Sequence, residues 1–120
     1  MTATILLLCS DPVIRSVLEE TLQHEGYSVV SVGELGNAVD RLREYKPSLL
    51  IIRPYIDNMA GHDAALYLRT KRPGMKVLMV SGTLDDDRLR YRNDLQSFEV
   101  FPKPFTAAEL LDKVRAVLES

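Results

Sequence analysis

An α/β fold, a doubly wound parallel sheet of five strands with five surrounding helices, is predicted by two observations. Four short apolar runs, at residues 5–8, 49–52, 77–80 and 100–101, each stop at a polar residue or a proline, and a further strand-like run lies at 28–32. Segments with helical spacing separate these runs, so strand-like and helix-like patterns alternate five times. Strands joined through helices in this way lie parallel, with the helices packed on both faces of the sheet.

The elements follow in chain order. After the run at 5–8, Asp11 and Pro12 suit an N-cap and a first helical position. Ile14, Val17, Leu18 and Leu22 then mark one helical face, and Gly26 is a C-terminal stop. Residues 28–32 form the second strand. Leu35, Ala38, Val39 and Leu42 recur at helical spacing until Pro47 blocks continuation. The third strand, 49–52, leads into a loop at 54–60. A helix of mixed pattern spans 61–71 and stops at Pro73-Gly74. In the segment 83–97, Asp85, Asp86 and Asp87 precede Arg88, Arg90 and Arg92, a polarity that complements a helix dipole; a solvated, charged helix is expected there. In the last helix Thr106 and Glu109 form a capping box, and Leu110, Val114 and Leu118 line one face. The flavodoxin-like strand order 2-1-3-4-5 then places the switch point between strands one and three.

Composition bounds the function. The 120 residues fit one domain, 1–120, able to bury a real core. A formal net charge of -2 gives no global attraction to nucleic acid or to an anionic membrane. No apolar run approaches the roughly 18 residues of a membrane span. Met1-Thr2-Ala3 lacks a charged n-region, so the run at 5–8 reads as a strand and not as a signal peptide. One cysteine excludes an internal disulfide, and a reducing cytoplasm is the simplest setting.

Ligands of an open parallel sheet bind beyond the carboxyl ends of its strands. The residues expected there are Cys9-Ser10-Asp11, Arg53-Pro54, Ser81-Gly82 and Pro102-Lys103-Pro104. Arg53 stands in the middle of that edge. An acid at this position could accept phosphate or bind a metal. An arginine can do neither, because it stays protonated and offers no lone pair.

The stretch Ile-Leu-Leu-Leu-Cys-Ser-Asp-Pro-Val-Ile-Arg at 5–15, the block at 49–61, Val-Leu-Met-Val-Ser-Gly at 77–82 and Phe-Pro-Lys-Pro-Phe at 101–105 resemble the receiver domain of two-component response regulators, the CheY-like family. The resemblance covers essentially the whole chain. It implies an acidic pair after strand one that holds Mg²⁺, and an aspartate after strand three that accepts a phosphoryl group from a histidine kinase. It also implies a hydroxyl after strand four and a lysine after strand five that contact the phosphoryl oxygens. Ser81 matches the hydroxyl and Lys103 the lysine. The acidic pair maps to Cys9 and Ser10, the acceptor maps to Arg53, and Asp11 matches the residue just after the pair. The switch aromatic, three residues before the lysine, is Val100, flanked by Phe98 and Phe101. The resemblance therefore implies a degenerate pseudo-receiver, with no metal and no cofactor, and fold carries over more safely than chemistry.

Each residue has a plainer reading. Arg53 is either a fixed charge that locks one conformation or binds an anion, or a partly exposed arginine with a snorkelling stem. Arg53 and Lys103 at ~4 Å would repel by about 4 kcal/mol at an effective dielectric of ~20, so they must splay into water, share Asp11 or share an anion. Asp11 suits the helix cap, Ser81 a backbone hydrogen bond, and Cys9 a small buried apolar position. Asp57 is a remote candidate for a displaced acceptor. His24 and His62 have no metal-ligand spacing and read as surface residues. Tyr55, Ile56 and Met59 make the Arg53 loop apolar, as a contact patch or through loop packing.

The function expected is a phosphorylation-independent signalling module, not an enzyme, that binds a protein: a histidine kinase, an output domain or another signalling protein. By the resemblance, the partner or homodimer surface lies at about 83–120. The alternative is an anion or phosphometabolite sensor using Arg53, Ser81 and Lys103. Neither membrane nor direct nucleic-acid contact is expected, and without a Gly-rich loop or nucleophile-base pair an enzyme is disfavoured.

Overall fold

The computed structural model describes residues 3–56, 59–80, 99–101 and 106–120. The elements run β1 (Thr4–Leu8), α1 (Pro12–His24), β2 (Ser28–Val32), α2 (Leu35–Tyr45), β3 (Leu49–Ile52), β4 (Tyr55–Ile56), β5 (Met59–Ala60), α3 (Gly61–Lys71), β6 (Lys76–Val80), β7 (Glu99–Phe101) and α4 (Ala107–Glu119). The main sheet has the order β2-β1-β3-β6-β7, with every pair parallel. This is the order expected for a doubly wound sheet. Four helices fall among the described residues. The fifth expected helix, at 83–97, lies outside them.

The apolar runs are continuous because both faces of the sheet are covered. Side chains alternate between the faces. Leu6, Leu8, Leu50 and Ile52 pack with Ala38 and Leu42 of α2 and Ala64, Ala65 and Leu68 of α3. Ile5, Leu7, Leu49 and Ile51 pack with Leu18 and Leu22 of α1 and Leu110, Val114 and Val117 of α4. A one-residue slip of β1 or β3 would exchange these two sets.

The helix signals act as the sequence implies. Asp11 Oδ1 accepts from the backbone N–H of Val13 at 2.9 Å and of Ile14 at 3.2 Å, capping α1 behind Pro12. Gly26 leaves α1 at φ 99, in the left-handed region that glycine tolerates. Thr106 Oγ1 and the Glu109 carboxylate close the capping box of α4 at 3.1 and 3.0 Å. Lys76 Nζ reaches from β6 to the end of α4, donating to Leu118 O at 3.2 Å and also to Ser120 O.

Some expectations need correction. Val17 does not join the buried stripe of α1 and is 58% exposed. In α4, Val117 is more deeply buried than Leu118. The expected loop at 54–60 contains a small antiparallel pair, β4 with β5, registering Tyr55 with Ala60 and Ile56 with Met59. It forms because Ile56, 2% exposed, turns back into the α2–α3 core layer.

Candidate functional site

The register brings the site residues to one edge. Leu8 pairs with Ile52, and Ile52 with Met79. Cys9 and Arg53 therefore leave adjacent strands side by side at the carboxyl end of the sheet. Ser81 and Lys103 follow β6 and β7 in sequence, but they lie outside the described residues, as do Asp57 and Phe98.

Arg53 is 9% exposed, a buried cation. Its Nη1 donates to Val80 O at 2.9 Å, tying the end of β3 to the end of β6. The partly exposed, snorkelling reading is therefore set aside. An arginine is more weakly hydrated than a lysine and delocalises its charge, so it tolerates such burial better.

The backbone turn beneath Arg53 depends on Gly61. The Gly61 N–H donates to Pro54 O, and a Cβ built on Gly61 would stand 2.0 Å from Arg53 O and 3.0 Å from Arg53 C. The start of α3 thus packs against the Arg53-Pro54 backbone more closely than any side chain allows. In the sequence Gly61 reads only as a helix start, and a glycine at the first position of a helix is the available signal. Tyr55 and Met59 are 47% and 39% exposed on the adjoining β4–β5 pair. The apolar loop is thus resolved residue by residue: Ile56 packs inward, while Tyr55 and Met59 face outward.

On the β1 side, Cys9 is fully buried and its Sγ donates to Asp11 O at 3.4 Å. Its carbonyl accepts from Arg15 Nη1 at 2.9 Å, and that guanidinium lies where a side chain on Gly33 would stand. Ser10 and Asp11 are exposed. His24 is on the surface as expected, whereas His62 in the first turn of α3 is half-buried. Among the described residues, no group of three or more His, Cys, Asp or Glu side chains is arranged to hold a metal ion.

Burial pushes the Cys9 thiol pKa up. The hydrogen bond at Asp11 and the charges of Arg53 and Arg15 pull it down less than burial raises it, and the Asp11 carboxylate adds to the rise. A folded pKa above the unfolded one favours folding below the ordinary thiol value of about 8.5. That contribution disappears as pH climbs through the raised value. Two outcomes are expected. A disulfide reagent should label Cys9 only on unfolding. The stability of Cys9→Ala should also fall less between neutral and alkaline pH than that of wild type. Rapid labelling of the native chain would show instead that the thiol is accessible and anionic.

The family model for the response regulator receiver domain matches residues 5–115. The chain belongs to the response regulator receiver domain family. Receiver domains are signalling modules of two-component systems, and they work with histidine kinases and output domains. Among curated relatives, the chain is 25% identical over 116 residues to the probable transcriptional regulatory protein TcrX of Mycobacterium tuberculosis, covering 96% of this chain and 49% of that protein. It is 27% identical to the DNA-binding response regulator MtrA of Mycolicibacterium smegmatis, covering 98% of this chain and 51% of that protein. The chain thus spans about half the length of the curated relatives it matches. Among solved structures, the chemotaxis protein CheY4 of Vibrio cholerae superposes with a TM-score of 0.81 at 19% identity, over 98% of this chain and 99% of that one. The receiver domain of the sensor histidine kinase PA1611 of Pseudomonas aeruginosa PAO1, determined with a magnesium ion in its active site cleft, gives a TM-score of 0.80 at 25% identity over the full length of both chains. Among the described residues of this receiver, no helix is long and apolar enough to cross a membrane.

Proposed function

We propose that this receiver signals without accepting a phosphoryl group, as a fixed-state cytoplasmic domain, 1–120, that acts through protein contact. The observation that carries this reading is Arg53. It stands at the end of β3, where the resemblance puts the acceptor, and its buried guanidinium is tied to Val80 O. Phosphoryl transfer to a receiver needs a carboxylate nucleophile and a metal to offset charge on the phosphoryl oxygens. The residues present do not suit that metal. Mg²⁺ is a hard cation that takes oxygen ligands, commonly one or two carboxylates with several waters. Cys9 offers a buried thiol whose pKa is raised, Ser10 a neutral hydroxyl, and Asp11 a carboxylate already engaged as the α1 cap. Arg53 adds a positive charge that opposes a cation.

The tie from Arg53 to Val80 O and the contact of Gly61 with the Arg53-Pro54 backbone both favour one arrangement of the β3–α3 connection. In this reading phosphorylation is replaced by a permanent state. The partner is a histidine kinase, an output domain or another signalling protein, bound through about 83–120, with a homodimer on the same surface as one form. DNA binding is named for MtrA, a protein of which this chain matches only about half, and it forms no part of this reading. The alternative anion sensor is the weaker reading, because one nitrogen of the Arg53 guanidinium is committed to a backbone carbonyl.

Incubation with a small phosphodonor and Mg²⁺ tests the proposal. Intact mass should show no phosphoryl adduct, and Mg²⁺ should leave the melting temperature unchanged, since a ligand that does not bind cannot shift unfolding. A stoichiometric, hydroxylamine-sensitive adduct on Asp11 or Asp57 would overturn it.

A further inference from the structure

The opposite edge of the sheet carries a different kind of site. There the last turns of α2 and α3 enclose a cleft of about 260 Å³, lined by Val39, Leu42, Arg43, Lys46, Lys71 and Arg72. Four of these six residues are cations, and no acidic side chain lines the cleft among the described residues. The chain as a whole carries a formal charge of -2, so this is a local reversal of its average. The floor is apolar, made by buried Leu42 and partly buried Val39.

A cation near a helix C-terminus complements the helix dipole, which explains any one of these residues taken alone. It does not explain why two helices aim theirs into one hollow, where like charges repel. Lys46, moreover, holds a left-handed backbone at φ 46, where asparagine or glycine would be less strained. Glu44, in the same last turn of α2, is already paired with Arg41 at 3.0 Å. Asp40 lies on α2 outside the lining. Two of the cations are also held in place. Arg72 Nε donates to Pro47 O at 2.6 Å, and Lys71 Nζ lies 5.3 Å from the centre of the Tyr67 ring. Side chains ordered in advance lose less entropy on binding.

We propose that this cleft docks an acidic peptide segment of a protein partner. One apolar side chain rests on Val39 and Leu42, and flanking carboxylates meet Arg43, Lys46, Lys71 and Arg72. A bare inorganic anion gains nothing from the apolar floor. A nucleic acid favours a long basic track with aromatic platforms over a short hollow. The site is remote from Arg53, so it stands whether or not this receiver accepts phosphate. A chain with both edges in use would bridge two proteins.

The test is fluorescence anisotropy with a labelled peptide of sequence Glu-Asp-Leu-Glu-Asp, titrated with the whole chain. Binding should weaken as salt rises. It should weaken about tenfold or more in Arg43→Glu/Lys71→Glu, whose positions are exposed rim charges. The neutral pair Arg43→Gln/Lys71→Gln should fall between that variant and wild type, which separates lost attraction from misfolding. A peptide with serine in place of leucine should bind several-fold less tightly, and amide shift changes should cluster at 39–46 and 71–72. The proposal is overturned if the peptide does not bind, if either variant binds as wild type does, or if the serine peptide binds equally well. It is also overturned if inorganic phosphate or a single-stranded oligonucleotide displaces the peptide at lower concentration than unlabelled peptide does.

Discussion

Gly61→Ala is expected to destabilise the domain by about 2–3 kcal/mol, although alanine is the better helix former. The added Cβ would stand 2.0 Å from Arg53 O, 3.0 Å from Arg53 C and 3.1 Å from Pro54 C. All three neighbours are backbone atoms, so no side chain can turn aside to relieve the overlap. Either α3 retreats or the Arg53-Pro54 turn opens, and both break the hydrogen bond from Gly61 N–H to Pro54 O. Gly36→Ala is the matched control. It also lies in the first turn of a helix, and nothing stands within 4 Å of its built Cβ. There the substitution should be neutral or stabilising by up to about 1 kcal/mol. Urea unfolding of both variants checks the pair. In Gly61→Ala, amide shifts should move at Arg53 and along β4 and β5. Equal stability of the two variants would show that the β3–α3 connection is compliant, which would remove one support for a fixed-state receiver.

Why that contact was not legible in the sequence is a physical matter. The strands at 28–32 and 49–52, the helix at 61–71, the Asp11 cap and the Thr106–Glu109 capping box are local patterns, and local patterns fix local structure. The edge position of Cys9 and Arg53 was readable too, because in a parallel sheet the strand ends define the site. Arg53 burial was not readable. Whether an arginine snorkels or turns inward depends on which carbonyl it meets, and Val80 lies 27 residues away. The β4–β5 pair was missed for a related reason. Two residues are too short for a periodic signal, and what forms the pair is the burial of Ile56 against a layer assembled from distant segments. Val17 failed in the opposite direction. Its spacing fits the apolar face of α1, yet its side chain lies beyond the reach of the sheet and stays in water. Periodicity identifies a face but not where cover ends.

The triple change Cys9→Asp, Ser10→Asp, Arg53→Asp is expected to create Mg²⁺ binding, whereas Arg53→Asp alone should not. With only position 53 changed, the neighbouring positions still present a buried thiol and a hydroxyl, and Asp11 remains the cap of α1. One carboxylate without companions is a poor ligand for a cation that surrenders its water reluctantly. The triple variant sets carboxylates at the ends of the adjacent strands β1 and β3, whose register pairs Leu8 with Ile52. Without metal, those carboxylates repel one another and Arg53 no longer ties β3 to β6, so the variant should be less stable than wild type. Mg²⁺ should then recover stability, by about 2.7 kcal/mol at a free concentration ~100 times the dissociation constant. Calorimetric titration and melting curves with and without Mg²⁺ read both effects for wild type, the single variant and the triple variant. A small phosphodonor should then give a hydroxylamine-sensitive adduct on the introduced residue 53. Absence of binding in all three, with the fold intact, would mean that the backbone of this edge has diverged along with its side chains. The contact between Gly61 and the Arg53-Pro54 turn is where that divergence would lie. Binding by wild type would mean that other acids serve the metal, and Arg53 would then be a neighbour of a working site and not its replacement.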